Sequence, residues 1–265
     1  MLKFIVLSDL HLVPEGRVSN GLDTAERLAL AIESINRDHA DADFCLLAGD
    51  LADRGEADAY RRLQTILAPL GVPHHITLGN HDNRPVFLDV FGTDEADENG
   101  FINKVIDAKG YRVILLDSSE PGKVSGILCD KRLDWLKARL AEASDRPVIV
   151  VLHHHANDLA LPVDVIKLEE AERFLAVLKT HPDIRQVIAG HVHITTTGVW
   201  HGIPFTTLAG SHYNVSLHLE SVGGEQKRLE GPAQYAVVLA DEQSTLVHFN
   251  DYIDRHLQMA PALFG

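Results

Sequence analysis

The chain has 265 residues, of which 45% are hydrophobic, and a formal net charge of −14 at pH 7. This length and apolar content suit one large α/β domain, so we expect residues 1–265 to form a single domain. The acidic balance argues against binding to a nucleic-acid polymer, because phosphate backbones are held mainly by clustered lysine and arginine. It still allows a small anionic substrate, since bound divalent cations dominate the local field.

The sequence shows no sign of a membrane span or of an oxidising compartment. The apolar run at the N-terminus is only a few residues long, and no stretch approaches the roughly 20 apolar residues that cross a bilayer. Two cysteines, Cys45 and Cys129, are too few for a disulfide framework. We therefore expect a soluble cytoplasmic protein, with Cys45 packed as a small hydrophobic residue.

The first part of the sequence alternates strands and helices. Apolar runs at 4–7, 44–48 and 73–78 are typical of strands buried on both faces. Helical spacing of apolar residues covers 22–36 and 56–68. This β-α-β-α-β order predicts parallel strands with crossover helices.

The rest of the sequence combines a hairpin with further strands and helices. A turn at 108–110 joins two predicted strands, at 100–107 and 111–117. The remaining predictions are helices at 130–143 and 169–179 and strands at 148–152, 186–189, 195–199, 205–208, 233–240 and 245–249. We expect two packed sheets with helices outside, and a tail at about 250–265 that either extends or packs at a subunit contact.

Five short polar clusters follow apolar runs that are typical of strands. They are Asp9-Leu10-His11, Gly49-Asp50, Gly79-Asn80-His81-Asp82, His153-His154-His155 and Gly190-His191-Val192-His193. Side chains two residues apart on extended backbone lie on the same side, so the Asp-x-His and His-x-His pairs can each face one ion. Each cluster alone has an ordinary explanation, such as a turn or a helix cap. Their repetition at successive strand ends indicates a mixed nitrogen and oxygen metal site.

The order of these clusters resembles that of the calcineurin-like metallophosphoesterases, whose motifs are D-x-H, G-D, G-N-H-[DE], H and G-H-x-H. All five motifs occur here between Asp9 and His193. The resemblance implies a four-layer α/β/β/α sandwich of two mixed β-sheets flanked by helices. It also implies two metal ions, Mn, Fe or Zn, the first held by Asp9, His11, Asp50 and His193 and the second by Asp50, Asn80, His153 and His191.

The same resemblance implies a mechanism. His153 is preferred as a ligand over His154 and His155 because it directly follows the predicted strand. The chemistry of the family is in-line attack on phosphorus by a hydroxide that bridges two ions roughly 3.5–4 Å apart. His81 is then placed to protonate the leaving oxygen or to stabilise the transition state, unless it is only a structural histidine beside the ligands.

The segment after Asp50 resembles the phosphoprotein phosphatases of the same superfamily. There an aspartate orients the catalytic histidine and an arginine contacts phosphate, which predicts these roles for Asp53 and Arg54. A surface ion pair is the alternative for Arg54. His155, His212 and Tyr213 are candidates for the substrate pocket, but Tyr213 in the core and a solvated His212 fit the pattern equally well.

Within the superfamily the chain looks most like the class III cyclic nucleotide phosphodiesterases and the bacterial glycerophosphodiesterases, which are often dimeric. We expect a metal-dependent phosphodiesterase for small diesters, with 3′,5′-cyclic nucleotides first and glycerophosphodiesters second, that forms a homodimer or higher homo-oligomer. A phospholipid head-group hydrolase and a phosphomonoesterase are the nearest enzymatic alternatives. A protein-binding scaffold is the alternative from another class, and the seven ligand positions present here argue against it.

Overall fold

The computed structural model describes residues 1–219 and 226–253. Along the chain its strands and α-helices are β1 (Leu2–Leu7), α1 (Thr24–Asp38), β2 (Phe44–Ala48), α2 (Ala57–Leu67), β3 (His74–Thr77), α3 (Arg84–Phe91), β4 (Lys104–Ala108), β5 (Tyr111–Leu116), α4 (Asp130–Ala141), β6 (Val148–Leu152), α5 (Ala171–Leu178), β7 (Ile184–Ala189), β8 (Thr196–Trp200), β9 (Ile203–Thr207), β10 (Asn214–Val215), β11 (Arg228–Leu229), β12 (Ala233–Ala240) and β13 (Thr245–Ile253). Short 3₁₀ helices occur at Thr93–Glu95 and Pro162–Ile166.

The described residues form two large mixed sheets. The first has the strand order β13-β12-β1-β2-β3, in which β1, β2 and β3 are parallel, β12 is antiparallel to β1, and β13 is antiparallel to β12. The second has the order β4-β5-β6-β7-β9-β8, with four parallel strands and an antiparallel strand at each edge. Parallel strands end at a common edge, so the loops after them meet there.

Three apolar layers hold the sheets and helices together. Side chains such as Phe4 and Leu46 of the first sheet pack against Val113 and Val151 of the second, which makes the contact between the sheets. The outer face of the first sheet is covered by α1, α2 and α3, and that of the second by α4 and α5. Strands β2 and β6 are buried along their whole length, which explains their unbroken apolar sequences. The predicted four-layer α/β/β/α sandwich is confirmed.

Some boundaries differ from the sequence-based predictions. The predicted strand at 100–107 begins only at Lys104, because the carboxylate of Asp97 accepts hydrogen bonds from the backbone of Asn99 and Phe101 and shapes a loop there. Helix α3 was not predicted; it has eight residues, and Asn83 caps its first turn by accepting from Val86 N at 3.3 Å. Strand β13 runs on to Ile253, while the rest of the predicted tail lies outside the described residues.

No helix in the described ranges is both long enough and apolar enough to cross a membrane.

A partly buried aspartate, Asp82, links two of the strand-end loops to α2. Asp82 accepts hydrogen bonds from the backbone nitrogens of Leu51 (3.1 Å) and Gly79 (2.9 Å) and from the hydroxyl of Tyr60 (3.0 Å). The same hydroxyl accepts from Asn83 N at 2.9 Å. Tyr60 is fully buried, so its hydroxyl fixes the third cluster against the second without help from solvent.

We expect Tyr60→Phe to lower the free energy of unfolding by about 1–3 kcal/mol, because it removes two hydrogen bonds, the one from the hydroxyl to the Asp82 carboxylate and the one from Asn83 N to the hydroxyl. The aromatic ring and its edge contact with Phe87 remain, so lost packing contributes little. Urea denaturation followed by circular dichroism measures the change. An unaltered midpoint and slope would show that the hydroxyl does not stabilise these loops.

Candidate metal centre

The five clusters converge at the carboxyl-terminal edge of the two sheets. The loops that follow β1 and β2 remain paired through their backbones, because Asp9 N donates to Gly49 O at 3.1 Å and His11 N donates to Asp50 O at 2.9 Å. The cluster after β7 joins them, since His191 N donates to the carboxylate of Asp9 at 3.1 Å. Side chains from both sheets therefore face one small volume.

The backbone at this edge adopts an uncommon conformation. Five of the seven predicted metal ligands have positive φ angles, which are Asp9 (56°), His11 (45°), Asp50 (51°), His191 (73°) and His193 (53°). Left-handed backbone is rare for residues other than glycine and costs of the order of 1–3 kcal/mol at each position. Its concentration here is typical of a functional site, where strain is retained because it directs side chains inward.

Glycines of the clusters allow the loops to approach closely. A Cβ atom at Gly79 would overlap the carboxylate of Asp50 and lie 2.5 Å from its backbone nitrogen. A Cβ atom at Gly190 would overlap the hydroxyl of Ser8 and lie 2.8 Å from Oδ2 of Asp9. These two glycines are therefore required by the packing of the carboxylates and not by their own backbone angles.

The first group of candidate ligands is formed by Asp9, His11 and His193, whose ligand atoms all lie within 4.8 Å of one another. Nε2 of His193 is 3.4 Å from Oδ1 of Asp9, and Nε2 of His11 is 3.5 Å from Oδ2 of Asp50. Two ligands that each bind an ion at roughly 2.0–2.2 Å are separated by about these distances.

Hydrogen bonds hold the imidazoles of this first group in a ligating orientation. Nδ1 of His193 donates to the carbonyl of Tyr213 at 2.6 Å, and Nδ1 of His11 lies 3.2 Å from Oδ1 of Asp53. When Nδ1 carries the proton, the lone pair of Nε2 is free for an ion. Both rings therefore present Nε2 to the carboxylates.

The second group contains His153 and His191, with ring centroids 5.0 Å apart. Nε2 of His153 is 3.3 Å from Oδ2 of Asp50, while its Nδ1 donates to the carbonyl of Ala48 at 2.9 Å. In His191 it is the other ring nitrogen, Nε2, that donates a hydrogen bond, to the carbonyl of Ile166 at 3.0 Å. This leaves Nδ1 as the ligating atom of His191.

Asp50 lies between the two groups. Its Oδ2 is near Nε2 of both His11 and His153, and its Oδ1 accepts a hydrogen bond from the backbone nitrogen of His81 at 2.9 Å. Nε2 of His11, Nε2 of His153 and Oδ1 of Asn80 are buried and have no hydrogen-bond partner in the described part of the chain. Buried polar atoms are normally satisfied, so these three fit the ligand atoms of two cations that share Asp50.

The charges of the site support the same interpretation. Burial alone would raise the pKa of Asp50, but His153 and His11 beside it hold that pKa well below its usual range. Burial would lower the pKa of His153, yet the Asp50 carboxylate raises it to about 9. The hydrogen bond from His11 lowers the pKa of Asp53 to about 2. The carboxylates of Asp50 and Asp53 are therefore ionised at neutral pH and attract cations.

The other two histidines of the triple cluster have different surroundings. His154 is already bonded through both nitrogens, to Oγ of Ser118 at 2.8 Å and to the carbonyl of Val124 at 3.1 Å. His155 is buried, with Nε2 3.4 Å from Asp164. This arrangement favours His153 as the ligand. The ring of His155 lies 6.2 Å from that of His191, and neither of its nitrogens has a hydrogen-bond partner in the described part of the chain, so its predicted place in the substrate pocket stays a prediction.

The arrangement around His81 differs from the sequence prediction. Its ring Nδ1 meets the backbone carbonyl of Asp53 at 2.7 Å, whereas the carboxylate of Asp53 lies against His11. The predicted pairing of the Asp53 carboxylate with His81 is therefore not the one that the structure shows. The side chain of Arg54 is 82% exposed and 3.9 Å from that of Asp53, which corresponds to the surface ion pair considered as the alternative.

His212 and Tyr213 both border the first group. Nε2 of His212 donates to the carbonyl of Ser19 at 3.1 Å, its Nδ1 has no partner within the described ranges, and its ring lies 4.7 Å from that of His11. Tyr213 is half-buried and stacks on His193, with centroids 4.2 Å apart and planes 6° from parallel. Burial lowers the pKa of His212 to about 3, so this imidazole is neutral.

Some residues that shape the site had no assigned role at the level of sequence. The hydroxyl of Ser118 bonds to His154, the carbonyl of Ile166 bonds to His191, and Asp82 joins two clusters. Asp82 is the last residue of the Gly79-Asn80-His81-Asp82 cluster, so its position in that motif could have identified it from the sequence. The sequence around Ser118 and Ile166 carries no signal, because any residue has a carbonyl and serines are common in loops.

Comparisons with known proteins agree with this geometry. The family model described as calcineurin-like phosphoesterase matches residues 2–195. The probable cyclic nucleotide phosphodiesterase of Rhodopseudomonas palustris is 36% identical over 251 residues, which cover 93% of this chain and 91% of the relative. The probable glycerophosphodiester phosphodiesterase of Arcobacter nitrofigilis is 29% identical and covers 92% of this chain and 91% of the relative.

The fold is also similar to a solved structure. A dimetal phosphatase from Danio rerio superposes with a TM-score of 0.73 at 18% identity, covering 96% of this chain and 97% of that one. At this level of identity the similarity concerns the fold alone. It agrees with the two-sheet sandwich described above.

We expect Asp53→Asn to weaken binding of the first metal by about 10- to 100-fold, because the amide cannot hold Nδ1–H of His11 as strongly as the carboxylate does. The second metal should be affected much less. Titration of metal-free protein with Mn²⁺ in a calorimeter resolves the two sites. Arg54→Gln is the matched control, and equal losses in both variants would contradict the role given to Asp53.

Proposed function

The chain belongs to the calcineurin-like phosphoesterase family, and on that premise we propose that it is a dinuclear-metal-dependent phosphodiesterase for small diesters, above all 3′,5′-cyclic nucleotides. The observation that carries the proposal is the position of Asp50, whose Oδ2 lies 3.5 Å from Nε2 of His11 and 3.3 Å from Nε2 of His153. A single carboxylate shared by two such imidazoles suits a bridge between two cations.

The donor atoms define what such a site would hold. We assign Asp9, His11, Asp50 and His193 to one ion and Asp50, Asn80, His153 and His191 to the other. Imidazole, carboxylate and amide ligands without a thiolate favour Mn, Fe or Zn. Two bound ions would neutralise the phosphate oxygens and lower the pKa of a bound water.

His81 is the residue that we assign to proton transfer. Its backbone nitrogen is tied to Asp50 and its Nδ1 to the carbonyl of Asp53, so the ring is fixed beside the metal ligands. The side chain is nevertheless exposed, which leaves Nε2 able to reach a substrate. A positioned imidazole of this kind can donate a proton to the departing alkoxide.

The substrate class is supported by relatives with nearly full coverage. The relative from Rhodopseudomonas palustris bears the name of a cyclic nucleotide phosphodiesterase, and the one from Arcobacter nitrofigilis that of a glycerophosphodiester phosphodiesterase. We rank the cyclic nucleotide first because the first relative is more similar. His212 and Tyr213, next to the first metal group, are proposed to contact the substrate. A cytoplasmic location and a homodimer or higher homo-oligomer complete the proposal.

The roles of two adjacent residues can be separated by mutation. Asn80→Ala should weaken binding of the second metal and activity together, because it removes a ligand oxygen. His81→Ala should leave both metals bound but reduce turnover by roughly 10²- to 10⁴-fold, the usual value of acid–base help. Measuring the metal content by mass spectrometry and the turnover of bis-p-nitrophenyl phosphate for both variants distinguishes the two roles. Equal metal loss in both variants would show that His81 is a ligand.

A substrate panel tests the proposed activity itself. We expect the Mn²⁺-loaded protein to release product from cyclic AMP and from bis-p-nitrophenyl phosphate faster than from the monoester p-nitrophenyl phosphate. Faster release from glycerophosphocholine than from cyclic AMP would favour the second substrate class. A preference for the monoester would contradict the diester assignment. Less than one metal per chain, together with no hydrolysis, would favour a protein-binding scaffold.

A further inference from the structure

The loop at 210–213 lies directly against the first group of ligands. Gly210 packs so closely on Asp9 that a Cβ atom on the glycine would be 2.8 Å from Cβ of the aspartate. The carbonyl of Tyr213 accepts the hydrogen bond from Nδ1 of His193 at 2.6 Å, and the tyrosine ring stacks on the same imidazole. The position of this loop therefore determines how His193 is oriented beside Asp9.

A buried arginine of α1 holds this loop. Arg27 is 5% exposed, and its Nε donates to the carbonyl of Ser211 at 2.8 Å. Ser211 is itself buried, and no other donor in residues 1–219 or 226–253 bonds to that carbonyl. The backbone nitrogen of Ser211 donates to the carbonyl of Ser8, the neighbour of Asp9, at 3.0 Å. Because a buried carbonyl is costly without a donor, the guanidinium keeps the loop in this place.

The same guanidinium also holds the segment that leads into β12. Nη2 of Arg27 donates to the carbonyl of Glu230 at 3.4 Å, and Nη1 is 4.0 Å from Oε1 of that residue. Four residues later, the backbone nitrogen of Gln234 donates to the carbonyl of Gly210 at 3.1 Å. One side chain therefore ties both the loop and the segment packed beside it to α1.

We propose that Arg27 is a positioning residue for the first metal ion. It holds the loop at 210–213 so that the carbonyl of Tyr213 can orient the imidazole of His193, with Nε2 directed at the ion. The inference rests on the proposed function, because it takes the ligands of the first ion from there. Arg27 contacts the loop through its backbone, so its effect reaches the ion only through the ligands.

The second ion should depend much less on this arginine. The imidazoles of its ligands His153 and His191 are held by the carbonyls of Ala48 and Ile166, which belong to other segments. Loss of Arg27 should therefore weaken one site selectively, whereas a general loss of stability would not distinguish the two sites.

Calorimetric titration of metal-free protein with Mn²⁺ tests this role without recourse to activity. We expect Arg27→Gln to weaken the first ion by about 10- to 100-fold, the usual effect of residues that orient ligands, and the weakened site to be the one affected by Asp53→Asn. The matched control is Arg112→Gln. Arg112 is 7% exposed, pairs with Asp107 and Glu142, and lies at the start of β5, away from the edge that carries the site. The control should bind both ions as the wild type does.

Turnover at high metal concentration separates positioning from contact with the substrate. Saturating Mn²⁺ should restore kcat of Arg27→Gln for bis-p-nitrophenyl phosphate to within about threefold of the wild-type value, because every ligand is still present. A loss of turnover that persists when both sites are full would contradict a role limited to positioning the first ion.

A milder variant keeps the test decisive if Arg27→Gln fails to fold, as circular dichroism would show. Arg27→Lys can still donate to Ser211 but not also to Glu230, so it should weaken the first ion less than Arg27→Gln does. Unchanged affinity in Arg27→Lys would then overturn the inference. Equal weakening of both ions, or equal effects of Arg27→Gln and Arg112→Gln, would also overturn it. Wild-type protein that binds no Mn²⁺ would contradict the proposed function and this inference together, whereas two ions bound normally by Arg27→Gln would contradict the inference alone.

Discussion

The arrangement of the loops at the carboxyl-terminal edge of the two sheets depends on one buried carboxylate, that of Asp50. Asp50 is 2% exposed, and its Oδ2 is shared between His11 of the first cluster and His153 of the fourth, which belong to different sheets. An ionised carboxylate in such a place is costly unless cations or hydrogen bonds compensate it. The imidazoles beside it each keep a buried nitrogen without a hydrogen-bond partner in the described residues, so metal ions bound here would compensate the carboxylate and would link the two sheets.

The charged and polar side chains of the site are held in place by rigid strands. Strands β1, β2, β6 and β7 are buried and end at one edge, which fixes where each loop begins. Left-handed backbone at Asp9, His11, Asp50, His191 and His193 then turns the side chains inward. Carbonyls of Ala48, Ile166 and Tyr213 hold the imidazoles by one nitrogen. Preorganised ligands lose little conformational freedom on binding an ion, so the strained backbone conformations would increase the affinity of the site for metal ions.

Sequence reasoning succeeded where chemistry is local and failed where partners are distant. The apolar runs predicted two packed sheets with helices outside and placed the polar clusters after strands, while the four-layer order came from the resemblance to the metallophosphoesterases. The partner of Asp53 could not be predicted, because its rotamer depends on where the loop after β1 brings His11, 42 residues away. The neighbour of His155 could not be predicted either, because Asp164 comes near its Nε2, at 3.4 Å, only through the fold of the intervening loop. Helix α3 was missed because eight residues give too short a periodic signal.

Electron paramagnetic resonance of the Mn²⁺-loaded protein tests most directly whether Asp50 joins two ions. Ions roughly 3.5–4 Å apart that share a carboxylate couple magnetically, so the spectrum should be that of an exchange-coupled pair. In Asp50→Ala the coupled signal should vanish, leaving the spectrum of isolated ions or none. A wild-type spectrum of isolated Mn²⁺ at full loading, or a coupled signal that survives in Asp50→Ala, would contradict a centre bridged by this carboxylate.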